Sequence, residues 1–128
     1  MAVPDPTEFS AAWVEAWNAH DVDAVLAHFA DDAVFTSPVA AQLIDGSDGV
    51  LRGKKQLRAY WARGLELIPD LHFTIENVYA GVDTIVINYR NQKGSVVCEV
   101  LTFEGGLVVR GGGTYLSGDT NPAGAHTG

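Results

Sequence analysis

Glu99 is the residue from which chemistry is most readily argued. It sits in the middle of residues 95–103, SVVCEVLTF, with Val97 and Leu101 on its own parity. If that parity faces a cavity, the carboxyl is buried without a cation. Its pKa then rises and it stays protonated, able to hydrogen-bond a ligand oxygen or to act as acid or base. If the parity faces outward, the same side chain pairs with Arg90 or Arg110 across strands.

The partner base is the open question. His28 follows Val25 by three residues and precedes Phe29, at the edge of an apolar helical stripe, and an imidazole there titrates near neutrality. It is the candidate base beside Glu99, against the plainer reading of a half-buried ring with satisfied nitrogens. His20 continues a face with Trp13 and Trp17, but at a helix C-terminus, where capping competes with catalysis. Asp31 and Asp32 are adjacent and point to different sides, so they suit a turn better than an acid/base pair. His72 alternates with Thr74 and Glu76, and no His-x-x-x-His or Glu-x-x-His spacing accompanies it, so no metal site is expected. Ser37, Ser95 and Ser117 lie in no G-x-S-x-G elbow, and Gly111, Gly112 and Gly113 follow no phosphate-binding pattern. No cofactor is expected either.

What accumulates instead is aromatic. Trp13, Trp17, Phe29, Phe35, Trp61 and Tyr115 are the candidate lining of a cavity for a small hydrophobic molecule, with Ser37 beside them. The same residues would serve equally as ordinary core.

The elements that must position these groups follow from periodicity. Asp5-Pro6-Thr7-Glu8 is a helix start, and Phe9, Trp13, Ala16, Trp17 and His20 recur on one face of the helix it opens, with Asn18 elsewhere on the wheel. Asp21 caps a short second helix with Val22, Val25, Leu26 and Phe29 inward. Residues 33–37 form a strand that Pro38 ends. Residues 39–53, with Asp45-Gly46, Asp48-Gly49 and Gly53, have no period and read as a long loop able to cover a pocket. Leu57, Trp61, Gly64, Leu65 and Ile68 mark a third helix with Lys54, Lys55, Arg58 and Arg63 outward, ended by Pro69. Residues 71–79, 84–90, 95–103 and 107–116 then read as a four-strand antiparallel meander with Gly-containing turns. Helices first and a meander afterwards give an α+β arrangement. The central strand is apolar on both parities, so its outer face is expected to meet a second copy of the chain. The glycine triplet points to a bulge or a close backbone approach.

One domain accounts for the length: residues 1–117, followed by a flexible tail at 118–128, where His126 is inert. The net charge of -8 argues against nucleic acid and anionic membranes, and no span or leader pattern is seen. The lone Cys98 fits a reducing cytoplasm.

Four segments carry a resemblance: WVEAWNAHDVDAVLAHFADDAVFTSP, GKKQLRAYW, the PDL turn at residues 69–71, and EVLTFEGGLVVRGGGTYL. Through them the chain resembles the nuclear-transport-factor-2-like superfamily in its SnoaL-like and ketosteroid-isomerase-like branch, over about residues 7–117. The resemblance implies a cone-shaped curved antiparallel sheet wrapped around three N-terminal helices, enclosing an apolar cavity, commonly as a homodimer. It puts Trp13 where the isomerases carry an oxyanion-stabilising tyrosine, Ser37 where they carry the catalytic aspartate, and Glu99 at their second oxyanion acid. The matched site thus keeps an acid and lacks the usual base. The Asp-Arg-Asp set of the epoxide-hydrolase branch has no counterpart here. The expectation is a cofactor-free isomerase, cyclase or hydrolase acting on a small hydrophobic metabolite, with a non-catalytic binding module or a dimeric interaction domain as alternatives.

Overall fold

The structure is a computed structural model that describes residues 3–118. The helix start at Asp5 is realised: its carboxylate accepts from the Glu8 N–H at 2.9 Å and Pro6 opens α1 (Pro6–Asn18). Phe9, Trp13, Ala16 and Trp17 form its buried face. His20 adopts φ 58° just beyond the helix end, and Asp21 caps α2 (Val22–Leu26) by accepting from the Ala24 N–H.

The chain then enters β1 (Phe29–Thr36), longer than the expected strand. Residues 39–53 are not a loop throughout. Ser37 caps α3 (Pro38–Leu43), with Pro38 opening the helix, and β2 (Val50–Arg52) follows. The Ser37-Pro38 pair satisfies both a strand stop and a helix start, which is why periodicity missed a six-residue helix. α4 (Gly53–Leu67) buries Leu57, Tyr60 and Trp61. Its outward basic residues form surface ion pairs, Lys54 with Asp31, Arg58 with Asp23 and Arg63 with Glu66.

The last four strands are β3 (Thr74–Ala80), β4 (Thr84–Arg90), β5 (Val96–Glu104) and β6 (Leu107–Tyr115). All six strands make one curved, unclosed sheet in the order β2-β1-β6-β5-β4-β3. Two expectations are corrected. The sheet is mixed, because β1 runs parallel to β6, which the intervening helices permit. Four helices accompany it, not three, and two of them follow β1. Register shifts between Phe29 and Val34 in the β1/β6 pair and between Thr102 and Phe103 in the β5/β6 pair bend the sheet around the helices. The ambiguous parity of β5 is resolved: Val97, Glu99, Leu101 and Phe103 face the helices, while Val96, Cys98, Val100 and Thr102 face out. Residues 119–128, which hold most of the expected tail and His126, lie outside the described residues.

Candidate functional site

Between the helices and the concave sheet lies a cavity of about 60 Å³. Its walls are the rings of Trp13 and Trp17 from α1, Phe35 from β1, Trp61 from α4 and Phe73 from the segment before β3. These rings hold one another: Trp17 meets Trp61 edge-on at 5.4 Å, Phe35 meets Trp61 at 5.5 Å, and Trp13 stacks on Phe73 at 5.8 Å. Leu43, Gly64 and Leu65, all partly exposed, mark its mouth. The segment carrying Leu71 and Phe73 is fastened to the end of α1. Asn18 donates to the Phe73 carbonyl at 3.0 Å and accepts from its N–H at 2.8 Å, and a His20 ring nitrogen lies 2.9 Å from the Leu71 carbonyl oxygen.

One part of the lining is polar. Glu99 is 6% exposed and turns into the cavity from β5. The expected alternatives for a partner do not reach it: Arg90 binds Glu76 at 2.8 Å, and Arg110 is exposed at a position opposite Thr102 on the outer parity. No Lys, Arg or His lines the cavity among the described residues. Burial therefore pushes the Glu99 carboxyl up to about 8, against the opposing pull of a hydrogen bond from the Tyr89 hydroxyl to Oε1 at 3.2 Å. At neutral pH the group is a carboxylic acid.

Ser37 stands nearby as a hub. Its Oγ accepts from the Val39 N–H and from the Tyr60 hydroxyl, each at 3.1 Å. Burial raises the pKa of the three phenols, Tyr60, Tyr89 and Tyr115, helped at each by the neighbouring Glu99 carboxylate, so they too are neutral donors. Taken together, this end of the cavity offers hydrogen-bond hydrogens and no neutral-pH base.

Of the residues singled out from the sequence, Glu99, Trp13, Trp17, Phe35, Ser37, Trp61 and Tyr115 share the cavity. Two do not. Phe29 lies deeper, its ring edge-on to Trp61 at 5.1 Å, as core behind the wall. His28 stands apart from Glu99, half-buried and edge-on to the Phe9 ring at 5.0 Å; burial holds its pKa below the usual histidine value. Periodicity continues the α2 stripe through both, but the helix ends at Leu26 and Phe29 opens β1, so neither side chain is held on that stripe. Sequence reasoning passed over Tyr60, Tyr89 and Phe73. Tyr89 shares the inward parity of Ile85 and Ile87, and Tyr60 follows Leu57 by three on α4, so both had a signal.

Among the described residues no cluster could hold a metal ion, and no helix is long and apolar enough to cross a membrane.

The SnoaL-like domain family matches residues 11–111. A solved SnoaL-like protein of unknown function from Burkholderia thailandensis E264 is 41% identical, with 91% of this chain and 99% of that one covered and a TM-score of 0.84. A Catenulispora acidiphila protein with a ketosteroid isomerase-like fold, solved in complex with trimethylamine, is 22% identical over 94% and 95% of the chains, at a TM-score of 0.72. TerC, co-crystallised with polyporic acid, is 13% identical over 87% and 91%, also at 0.72. The latter two likenesses concern the fold alone. No curated protein matches the chain.

Proposed function

The chain belongs to the SnoaL-like domain family, and from that premise we propose that it is a cofactor-free protein for a small hydrophobic metabolite bearing a carbonyl oxygen. Glu99 in its acid form hydrogen-bonds that oxygen inside the aromatic cavity. The single observation that carries this reading is a buried carboxyl with no cation beside it, pushed up to about 8.

Chemistry follows from that value. A group whose pKa lies near the working pH both gives and takes a proton readily. For turnover, Glu99 would give its proton to the carbonyl oxygen and the carboxylate so formed would take the α-carbon proton, giving the enol and restoring the acid. In the return step the acid would protonate the other carbon and its carboxylate recover the oxygen's proton, the minimum needed for isomerisation. His28 is not assigned the base role, since it stands apart from Glu99. The cavity is well below the roughly 300–1,000 Å³ of drug-sized pockets. Its buried end therefore takes a head of a few heavy atoms, with the rest of the molecule lying toward Leu43 and Leu65.

The second reading is a binding module without turnover, favoured by the lack of any further base among the lining residues. Thermal-shift screening of carbonyl-bearing metabolites, each hit followed for conversion, separates the two. Product formation that Glu99→Gln lowers strongly supports catalysis, and saturable binding without product supports the module. If no carbonyl compound binds, or if Glu99→Gln keeps full rate and affinity, both readings are lost. Homodimerisation through the outer face of the sheet and cytoplasmic residence are part of the proposal. Outward Val96, Cys98 and Val100 and the exposed Tyr79 support the first, and the free Cys98 supports the second.

A further inference from the structure

α4 buries Leu57, Tyr60 and Trp61 at helical spacing, and Ile68 at its C-cap continues the same stripe. Gly64 falls on that stripe, three residues after Trp61 and four before Ile68, both of which wall the cavity. It stands where the pattern calls for another apolar side chain. Glycine within a helix weakens it relative to alanine, so its presence needs a reason.

The usual reasons are missing. Gly64 is not the residue that ends the helix, its carbonyl accepts from the Ile68 N–H at 2.9 Å, and its φ is not positive. No neighbouring element approaches closely, because a Cβ built there would meet nothing within 4 Å. Among the described glycines with such open space, Gly46, Gly94, Gly105, Gly106 and Gly118 all take positive φ, and Gly64 alone does not. What adjoins it is the cavity mouth, between Leu43 of α3 and its own neighbour Leu65. The missing side chain leaves a trough one side chain wide over bare helix backbone.

We propose that Gly64 is a specificity residue whose backbone floors an exit from the cavity, and that the ligand is a carbonyl head carrying an unbranched apolar chain that leaves through it. This rests on the function proposed above and adds the shape of the body that the ligand carries. The chain does not take the place of the missing Cβ. It lies across the Gly64 Cα at van der Waals distance, about 4 Å, where any side chain would stand in its way. A cage-shaped body is wider than the trough and is excluded.

The test titrates the full chain with 2-butanone, 2-nonanone and 1-adamantyl methyl ketone. Intrinsic fluorescence reports on the cavity, because the chain's three tryptophans, Trp13, Trp17 and Trp61, all wall it. The wild type should bind 2-nonanone about thirtyfold tighter than 2-butanone, from about twofold for each added methylene half removed from water, and tighter than the adamantyl ketone. Gly64→Ala and Gly64→Leu should both unfold at higher urea, as better helix formers, while the preference for 2-nonanone falls to about tenfold and then to about threefold or less. An undiminished preference in Gly64→Leu overturns the trough and leaves the proposed function standing, as does equal or tighter binding of the adamantyl ketone by the wild type. A Gly64→Ala chain that unfolds at lower urea also overturns it, because the glycine then serves the helix. If no ketone binds the wild type saturably, the proposed function and the trough fall together.

Discussion

The Tyr89 hydroxyl reaches Glu99 Oε1 at 3.2 Å from a diagonal position on the next strand, Tyr89 itself standing opposite Val97. The two residues set the protonation of the site between them. Burial drives the carboxyl up, and the phenol, which favours the ionised form, holds it near 8.

Stability should therefore fall as pH rises. The unfolded Glu99 loses its proton near the ordinary glutamate value of 4.5, whereas the folded one keeps it to about 8. Between those values the native state binds the extra proton, so the free energy of unfolding declines by about 1.4 kcal/mol per pH unit from this group. The contribution is fully present below the unfolded pKa and lost as pH passes through the folded one. His28, whose folded pKa is lowered, acts in the opposite sense and loses stability as pH falls. Melting curves of the wild type and Glu99→Gln from pH 5 to pH 9 isolate the carboxyl: the variant should lack this decline, which levels off above about 8, and be the more stable chain at pH 8. Parallel curves for both proteins would contradict a buried acid.

Tyr89→Phe should raise the pH at which folded Glu99 gives up its proton, above about 8, because the removed hydrogen bond is the one that favours the carboxylate. Loss of the bond costs about 1 kcal/mol at neutral pH. Carboxyl ¹³C titration of Glu99 in both proteins reads the midpoint directly, and an unchanged or lower midpoint would refute the assignment.

Asn18 is a structural clamp rather than a site residue. Its amide bonds both backbone groups of Phe73, a cavity wall residue, across 55 positions of sequence. Asn18→Ala should cost about 2 kcal/mol by denaturant unfolding, from two partly buried hydrogen bonds. It should also loosen ligand binding through Phe73, so a variant with wild-type stability and affinity would show that the clamp is dispensable.

Much of this was legible in the sequence, and the failures have physical causes. Caps at Asp5 and Asp21, the inward tryptophans and the Gly-bounded meander are local signals, and local structure obeys them. The parallel pairing of β1 with β6 is a long-range choice that alternation along either strand does not encode. Glu99 was legible as a candidate but not as an inward group, since both parities of β5 are apolar and only the sheet's curvature selects one. His28 illustrates the converse: residue type and spacing suggested a base, and its place against Phe9 put it away from the acid.

The glycine triplet makes a graded prediction, because each member meets different surroundings. At Gly111 a methyl would press on Phe35 and Leu101, both fully interior, at distances side chains do not tolerate. Overpacking of that kind costs about 1–3 kcal/mol, so Gly111→Ala should unfold at visibly lower denaturant. At Gly112 the nearest atom is Thr36 Oγ1 at 3.0 Å, on an exposed residue whose hydroxyl can rotate away, and the loss should be smaller. At Gly113 every contact is 3.6 Å or longer, so Gly113→Ala should be the mildest of the three in stability. Chemical denaturation of the three alanine variants checks the order. An equal penalty at all three positions would mean that the triplet serves strand bending alone and that the sheet, not the cavity, requires its glycines.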